Sequence, residues 1–461
     1  MPNSATLKTY QQARLARDPR FDGTFFVAVK TTGIYCRPIC PAPAPKEQNI
    51  SYYPSSVQAQ EAGFRPCLRC RPETAPLSAA WLGNQAVLRK AVTRIQAGAL
   101  NQTSLQDFSE SMGISDRYLR KLFQQYLGVS PIIYANHLRL MFAKQLLHQT
   151  QLPINDIAFI AGFNSVRRFN DSFKATMKLS PRNLRKKLHN QQSLQESQAI
   201  QLKLHYRPPY DWSLMQDFLQ QRELSAIETV TDHSYSRTFS LDGANGFLTA
   251  EFDSSSSSFK VTIELSDMSK LLEVTHHIRR VMDLNSDLEV IEKTLGQDSN
   301  LQPLLKSGLR LPATWNTFEA GVKAILGQQV SVKAAYTHTA SVIEQLGSDY
   351  NEQYKLFPTA QQIVDGELSF LKMPNSRKQT LHNFAQWYLD TNGEDLSSIL
   401  DIKGIGPWTY EYIKLRSGFD SDAFPEKDLG VIKAMEKHNL TNTGQWQPWR
   451  SYATLQLWHS L

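Results

Sequence analysis

Residues 105–131, LQDFSESMGISDRYLRKLFQQYLGVSP, and residues 154–181, INDIAFIAGFNSVRRFNDSFKATMKLSP, are two copies of one pattern. Each copy sets a short apolar helix, a turn holding Gly113 or Gly162, a serine at 115 or 165, and a second helix. The serine suits an N-cap, where its hydroxyl accepts from a backbone N–H that the helix leaves unpaired. Glycine suits the turn, because no Cβ opposes a left-handed backbone. Ser130-Pro131 and Ser180-Pro181 close the two copies fifty residues apart. A turn glycine followed by a capped helix is the outline of a helix-turn-helix. One copy is more often an ordinary helical hairpin. Two copies separated by the apolar run YANHLRLMFAKQLLHQT (134–150) predict an all-α, DNA-binding region.

Low-hydrophobicity stretches flank this region: RPETAPLSAA at 71–80 and HNQQSLQESQAI at 189–200. They divide the chain of 461 residues, which is longer than one core usually organises, into units at 1–75, 76–190 and 201–461. Charge divides in the same way. Residues 1–200 hold 26 Lys and Arg against 11 Asp and Glu, a net +15, and the remainder holds 24 against 32, a net −8. A basic leading half points to a polyanionic partner. The start of the chain shows no apolar core of signal-peptide length, and no uncharged apolar run reaches membrane-spanning length. The expectation is a cytoplasmic, nucleoid-associated protein with no membrane partner.

In the first unit lie all four cysteines of the chain, Cys36, Cys40, Cys67 and Cys70, as two pairs separated by three and two residues. Four thiolates in such knuckles close a tetrahedron around zinc. No histidine precedes His137, so a metal site here is all-cysteine. Zinc would also supply folding energy to a small unit, roughly 10–16 kcal/mol in peptide systems. On spacing alone, a purely structural zinc knuckle is the usual outcome.

The surrounding FFVAVKTTGIYCRPICPAPAPKEQNISYYPSSVQAQEAGFRPCLRCRP (25–72) resembles the N-terminal domain of the Ada family of DNA alkylation-repair regulators, with its TTGIYCRPxC and AGFRPCxRC segments. The resemblance implies a small α+β domain holding one zinc ion on four cysteines, with Cys36 accepting a methyl group from a methylated DNA phosphate. The residue chemistry agrees: a free thiol is mostly protonated at neutral pH, and metal coordination deprotonates it. The S-methyl product is stable, so the reaction runs once per molecule. Methylation would also reduce the negative charge of the centre and ease its repulsion from DNA, leaving Arg37, Arg65, Arg69 and Arg71 to act with less opposition.

The 76–190 region resembles the AraC-type double helix-turn-helix, most closely at AGFNSVRRFNDSFKATMKLSPRNLR (161–185). On that reading the second helix of each copy enters the major groove. Arg117 and Arg120 in the first copy, and Arg167, Arg168 and Asn170 in the second, are the DNA-contact candidates. Phosphate contact is the commoner role for such residues.

The third unit opens with alternating apolar strands around FLTAEFDSSSSSFKVTIEL (247–265), where the serine run joins two strands of an α+β subdomain spanning 201–285. From 286 to 461 the pattern is helical. Within it, LDIKGIGPWTYEYIKL (400–415) sets Gly404 and Gly406 in a turn between apolar helices. That is a helix-hairpin-helix outline, whose exposed backbone N–H groups bind a DNA phosphate. Downstream, DAFPEKDLGVIK (422–433) carries Asp428, and a lone aspartate before an apolar run is ordinarily a helix cap.

Together with YRPPYDWS (206–213), RLPATWNTFEAGVKAILGQQVSV (310–332) and PWRSYATLQLWHS (448–460), these residues resemble the helix-hairpin-helix glycosylases of the 3-methyladenine II (AlkA) type. The resemblance places Asp428 at the family's catalytic aspartate and Trp408, Tyr412 and Trp458 in its base pocket. Gln329 stands where the best-known member inserts a leucine into the duplex, so the identity of the wedge is open. Trp408 occupies the position at which bifunctional relatives carry a nucleophilic lysine, which implies base release without strand cleavage. Ada proteins often add a second methyltransferase domain with a PCHR nucleophile, and no cysteine follows Cys70.

The combined expectation is a multidomain repair regulator: a zinc-bound methyl acceptor, an AraC-type activator that binds promoter DNA and engages RNA polymerase, and a monofunctional alkylbase glycosylase, acting as a monomer on double-stranded DNA. The alternative is a methylation-sensing transcription regulator with a catalytically silent glycosylase-like module.

Overall fold

The computed structural model describes residues 4–18, 21–70, 72, 86–101, 103–189, 199–393 and 396–461. The stretches expected to separate the units, at 71–80 and 189–200, lie largely outside the described residues.

The N-terminal unit lays the helix Ser4–Ala16 and the short helix Ser56–Glu61 around a four-stranded sheet. Its strands run Ile50–Tyr53, Phe26–Val29, Ile34–Cys36, Arg65–Pro66 in spatial order. The first two pairings are antiparallel and the last is parallel. The parallel pairing matters most here, because it brings the chain just before Cys36 beside the chain just before Cys67.

Among the described residues seven α-helices follow: Ala86–Gln96, Leu105–Glu110, Asp116–Leu127, Pro131–Gln149, Ile154–Ile160, Val166–Met177 and Pro181–His189. The repeat in the sequence is a repeat in space. Ser115 accepts from the Tyr118 N–H and Ser165 from the Arg168 N–H, and Gly113 and Gly162 have φ of 70° and 87°. Gly162 is needed for a second reason, since an ideal Cβ there lies 2.4 Å from the Asn101 side chain. Leu119, Leu122, Phe123 and Leu127 in one second helix, and Phe169, Phe173 and Met177 in the other, are buried on the helical period.

Between the copies, Pro131–Gln149 is buried nearly all round, including His137, Lys144, Gln145 and His148. Four neighbours account for this. Tyr134 packs on Phe123 of the first copy, and Leu146 and Leu147 join Ile157 and Phe169 of the second in one apolar cluster. The N-terminal unit contributes Tyr35, whose hydroxyl reaches Met141 Sδ at 3.7 Å, and His137 lies between Ser56 Oγ (2.8 Å) and Gln60 Oε1 (2.9 Å). On the remaining side, Gln149 Oε1 accepts from the Lys203 N–H at 2.9 Å.

Lys203 belongs to a five-stranded antiparallel sheet ordered Ile200–His205, Ser258–Leu265, Ala244–Asp253, Ser234–Leu241, Glu228–Val230. The serine run forms a 3-10 turn, Ser254–Ser256, between two of these strands, with Asp253 accepting from Ser255 and Ser256. The same apolar cluster runs on from Phe169 and Phe173 to Leu202, Leu204 and Trp315, so the core is continuous across this part of the chain. Helices then dominate, from Leu271–Val281 to Arg450–His459. One expectation is corrected. The element before the Gly-Ile-Gly turn is a six-residue 3-10 helix, Leu396–Asp401. Its Ser397-Ser398 pair and short apolar stretch do not sustain an α-helix.

Candidate metal centre and base pocket

The four cysteines meet. Cys36 ends its strand, Cys40 follows a turn closed by its own N–H on the Arg37 carbonyl, and Cys67 and Cys70 sit just beyond the parallel partner strand. Their sulfurs all lie within 4.8 Å of one another. Sulfurs ~2.3 Å from one tetrahedral zinc ion stand ~3.8 Å apart, so this donor set fits zinc. With protons alone, the sulfurs compete for hydrogen bonds. The bond with Cys36 draws Cys40 down to about 7, bonds from the other three draw Cys67 lower still, the bond with Cys40 pushes Cys36 up, and burial pushes Cys70 up. A cation at the centre removes that competition. Cys67 and Cys70 are buried, whereas Cys36 and Cys40 are partly open. The Arg37 backbone N–H donates to Cys70 Sγ at 3.3 Å, and Lys144 Nζ, fully buried, donates to the Cys67 carbonyl at 3.0 Å.

Arg37 corrects an expectation. It is 4 % exposed, with its guanidinium on the buried Asp22 carboxylate through both oxygens and on the Cys70 carbonyl. An arginine so enclosed is a bracket for the centre and does not meet DNA. Arg69 is exposed, Arg65 is half-buried, and Arg71 lies outside the described residues.

On the helix-turn-helix pair, Arg117, Arg120, Arg167 and Arg168 are exposed and Asn170 is half-buried. All five lie on the second helices, Asp116–Leu127 and Val166–Met177. Arg120 pairs loosely with Asp116 at 3.5 Å.

In the C-terminal part, Asp428 is a helix cap and more. Its Oδ1 accepts from the Gly430 and Val431 N–H groups at 3.0 and 3.2 Å, capping Leu429–Lys437. The same oxygen accepts from Trp458 Nε1 at 2.9 Å, and Oδ2 accepts from Trp408 Nε1 at 3.1 Å. Tyr412 lies between the two indoles, stacked on Trp408 (centroids 5.2 Å, 28°) and tilted to Trp458 (6.1 Å, 44°). The structure therefore brings together the four residues expected to share one site. Oδ2 keeps a free lone pair, since among the described residues its single donor is Trp408.

Gly404 has φ 98°, and an ideal Cβ there would lie 2.1 Å from Thr380 Oγ1. Gly406 precedes Pro407–Ser417 with no side-chain cap, and nothing lies within 4 Å of an ideal Cβ there, which leaves room at the helix start. Gln329 is exposed at φ 56° in the loop after Thr317–Leu326, just ahead of exposed Val330 and Val332.

Two contributors escaped the sequence reading. Gln328 donates to the Gly404 carbonyl (2.9 Å) and to Thr409 Oγ1 (3.0 Å), fastening this loop to the hairpin. Gly430 gives Trp458 room, because an ideal Cβ there meets Asp428 Oδ1 and Trp458 Cδ1 at 3.1 Å each. The glycine two residues after Asp428 was a legible signal, and nothing marked Gln328 off from Gln329.

The fold and its two sites define a multidomain protein with a metal-binding unit, a helix-turn-helix pair and a helix-hairpin-helix part of glycosylase type. Family models agree along the chain: the metal-binding domain of Ada matches residues 9–73, a helix-turn-helix domain 108–187 and the AlkA N-terminal domain 201–316. The chain is 33 % identical to the probable bifunctional transcriptional activator/DNA repair enzyme AlkA of Mycobacterium tuberculosis, over 97 % of this chain and 95 % of that protein. It is 31 % identical to DNA-3-methyladenine glycosylase 2 of Escherichia coli over 56 % of this chain and 96 % of that protein. It is 30 % identical to the bifunctional transcriptional activator/DNA repair enzyme AdaA of Bacillus subtilis over 38 % of this chain and 80 % of that protein. The chain belongs to the AlkA-type family of bifunctional transcriptional activators and DNA repair enzymes.

Proposed function

We propose that this protein repairs alkylated DNA by two separate chemistries and activates transcription through its helix-turn-helix pair. It excises N-alkylated bases as a monofunctional glycosylase of the 3-methyladenine II class, and it takes a methyl group from DNA methylphosphotriesters once per molecule. The observation that carries the reading is Asp428 held by the two indole N–H groups beside Tyr412.

An N-alkylated purine is cationic and leaves readily once flipped from the duplex, so it needs little help from a general acid. The faces of Trp408, Tyr412 and Trp458 attract that cation, roughly 0.5–2 kcal/mol each. Asp428, fixed by its four donors, stabilises the positive charge that develops on the sugar and orients the attacking water from Oδ2. Trp408 cannot act as an amine nucleophile, so the product is an abasic site in an intact strand. Gly404, Gly406 and Gln329 grip the DNA around the lesion.

At the other centre, Cys36, Cys40, Cys67 and Cys70 hold one zinc ion, which keeps the sulfurs deprotonated at neutral pH. Cys36 is the acceptor: its sulfur forms a bond to the methyl carbon as the carbon–oxygen bond of the triester breaks, and a phosphate diester leaves. Arg37 and Asp22 brace the sulfur-bearing loop. Arg117, Arg120, Arg167, Arg168 and Asn170 contact promoter DNA, where the chain acts as a monomer beside RNA polymerase in the bacterial nucleoid.

The test uses DNA bearing radiolabelled methylphosphotriesters and methylated purines, with methyl transfer to protein and free-base release measured for wild type, Cys36→Ala and Asp428→Asn. Each substitution is expected to remove one activity and spare the other. Absence of base release from wild type would leave a methylation-sensing regulator with a silent glycosylase fold.

A further inference from the structure

A cavity of about 330 Å³ opens where the three parts of the molecule meet. Its walls include Ser56 from the N-terminal unit, Tyr134 and Met141 from the helix between the reading heads, and Arg279, Arg280 and Trp449 from the C-terminal part.

The charge balance around it is uneven. Carboxylates on its lining already have partners: Asp287 pairs with Arg207 at 3.3 Å and Asp420 with Lys414 at 3.1 Å, while Asp283 accepts from the Leu311 N–H (3.0 Å) and the Tyr452 hydroxyl (3.1 Å). Arg279 and Arg280 have no carboxylate within ion-pair distance among the described residues. Arg279, 8 % exposed, spends among the described residues only Nη1, on the His205 carbonyl and Asn285 Oδ1. Arg280 uses both Nη atoms on the Thr314, Trp315 and Ser417 carbonyls and on His277 Nδ1 (3.2 Å) and lies 4.5 Å over the ring of Phe419, and its Nε is buried without a partner among the described residues. Beside them His276 lines the same cavity and has no hydrogen-bond partner among the described residues. Burial draws Arg279 down to about 10 and Arg280 to about 9, the latter against the opposing pull of Glu319, and burial beside both arginines holds His276 neutral, down to about 3. Buried cations of this kind ask for an anion. The rim adds flat apolar surface: Trp449 is half-buried and Phe419 is 50 % exposed. A volume near 330 Å³ lies at the small end of ordinary ligand sites.

We infer that this cavity is a binding site for a phosphate monoester carrying a nucleobase, with the phosphate on the free donors of Arg279, in the field of Arg280, and the base against Trp449 and Phe419. The site is distinct from the Asp428 pocket and the thiol centre. Because its walls come from all three parts, an occupant would fix their mutual arrangement. The ligand could be a free nucleotide or the terminal phosphate of a DNA strand, which present the same chemistry.

The test is calorimetric titration of the full-length, zinc-loaded protein with AMP, adenosine and inorganic phosphate. AMP is expected to bind at one saturable site, with adenosine and phosphate each about tenfold weaker or more, as loss of a charge-assisted pair or of the stacking surface predicts. Arg279→Gln is expected to weaken AMP about tenfold. Phe419→Ala, at an exposed position where folding is not at stake, is expected to weaken AMP by a smaller factor. Base release and zinc content measured on the same samples verify folding. Competition by short duplexes with 5′-phosphate or 5′-hydroxyl ends separates the sources: displacement by the phosphorylated end alone assigns a DNA terminus, and failure of both assigns the free nucleotide. No saturable AMP binding at millimolar concentration, or equal AMP affinity in wild type and both variants, overturns the inference.

Discussion

The thiol centre and the Asp428 site solve opposite problems with polar groups of the same class. At the thiol centre four anions must share one place, and the fold draws them from two short stretches joined by a parallel strand pair. At Asp428 a single carboxylate lies beside aromatic rings, and the fold surrounds it with four N–H donors from three elements. On the proposed function, the first arrangement depends on an added ion and is spent by its reaction, whereas the second is complete in the polypeptide and returns to its starting state. Reagent and catalyst would then occupy one chain, and the difference lies in who supplies the countercharge.

The sharpest break of that contrast is Cys36→Ala. Methyl transfer to protein is expected to vanish, measured by label retained on the chain, with the base-release rate unchanged. Chelating the zinc should go further on the same side and unfold the N-terminal unit, which would lose an apparent ~10–16 kcal/mol of metal-derived folding energy. Circular dichroism and limited proteolysis follow that loss, and base release reports whether the catalyst is independent of it.

On the other side, Asp428→Asn is expected to slow single-turnover base release about 10²–10³-fold. The melting temperature should change little, because asparagine also caps helices. An equal loss of rate and of stability would reduce Asp428 to its capping role.

A smaller effect is expected from pH. Burial holds His137 down to about 3, below its unfolded value of about 6.5. The unfolded chain therefore takes up the proton first, and stability falls as pH drops below about 6.5, until the folded value is reached. Between pH 6.5 and 5 this one residue costs about 2 kcal/mol. His276, drawn down to about 3 by burial, adds a slope of the same sign. His137→Gln should flatten part of the loss in denaturant titrations at pH 7 and 5, and it acts on the seat of the thiol unit rather than on Asp428. The smallest effect is expected from Gly430→Ala. Displacing Trp458 by a few tenths of an ångström should lower base release about tenfold or less while sparing methyl transfer.

Local pattern was the readable part. Cysteine spacing identified a metal site, and the serine caps and turn glycines identified both reading heads, because each of these devices works within a few residues. Asp428 was readable as a cap and, through its family resemblance, as part of a pocket, and it is a cap whose two oxygens each also hold one indole N–H. What escaped depends on contacts far apart in the sequence. Arg37 looks like a DNA-facing cation until Asp22 closes over it. Gln328 and Gln329 are neighbours of one type, and only the position of the hairpin separates the fastener from the exposed residue. The apolar cluster that joins Phe173 to Leu204 crosses a stretch whose composition reads as a separator.

The helix Pro131–Gln149 has an evolutionary consequence. Its four sides belong to four neighbours, so a substitution that improves one contact is judged by three others. Lys144 shows this most plainly: its buried Nζ donates to the Cys67 carbonyl, a bond that leucine there would remove. Lineages of this protein should therefore exchange or lose the N-terminal unit and the reading heads together, and recombination that parts them should leave a scar of compensating changes along this one helix.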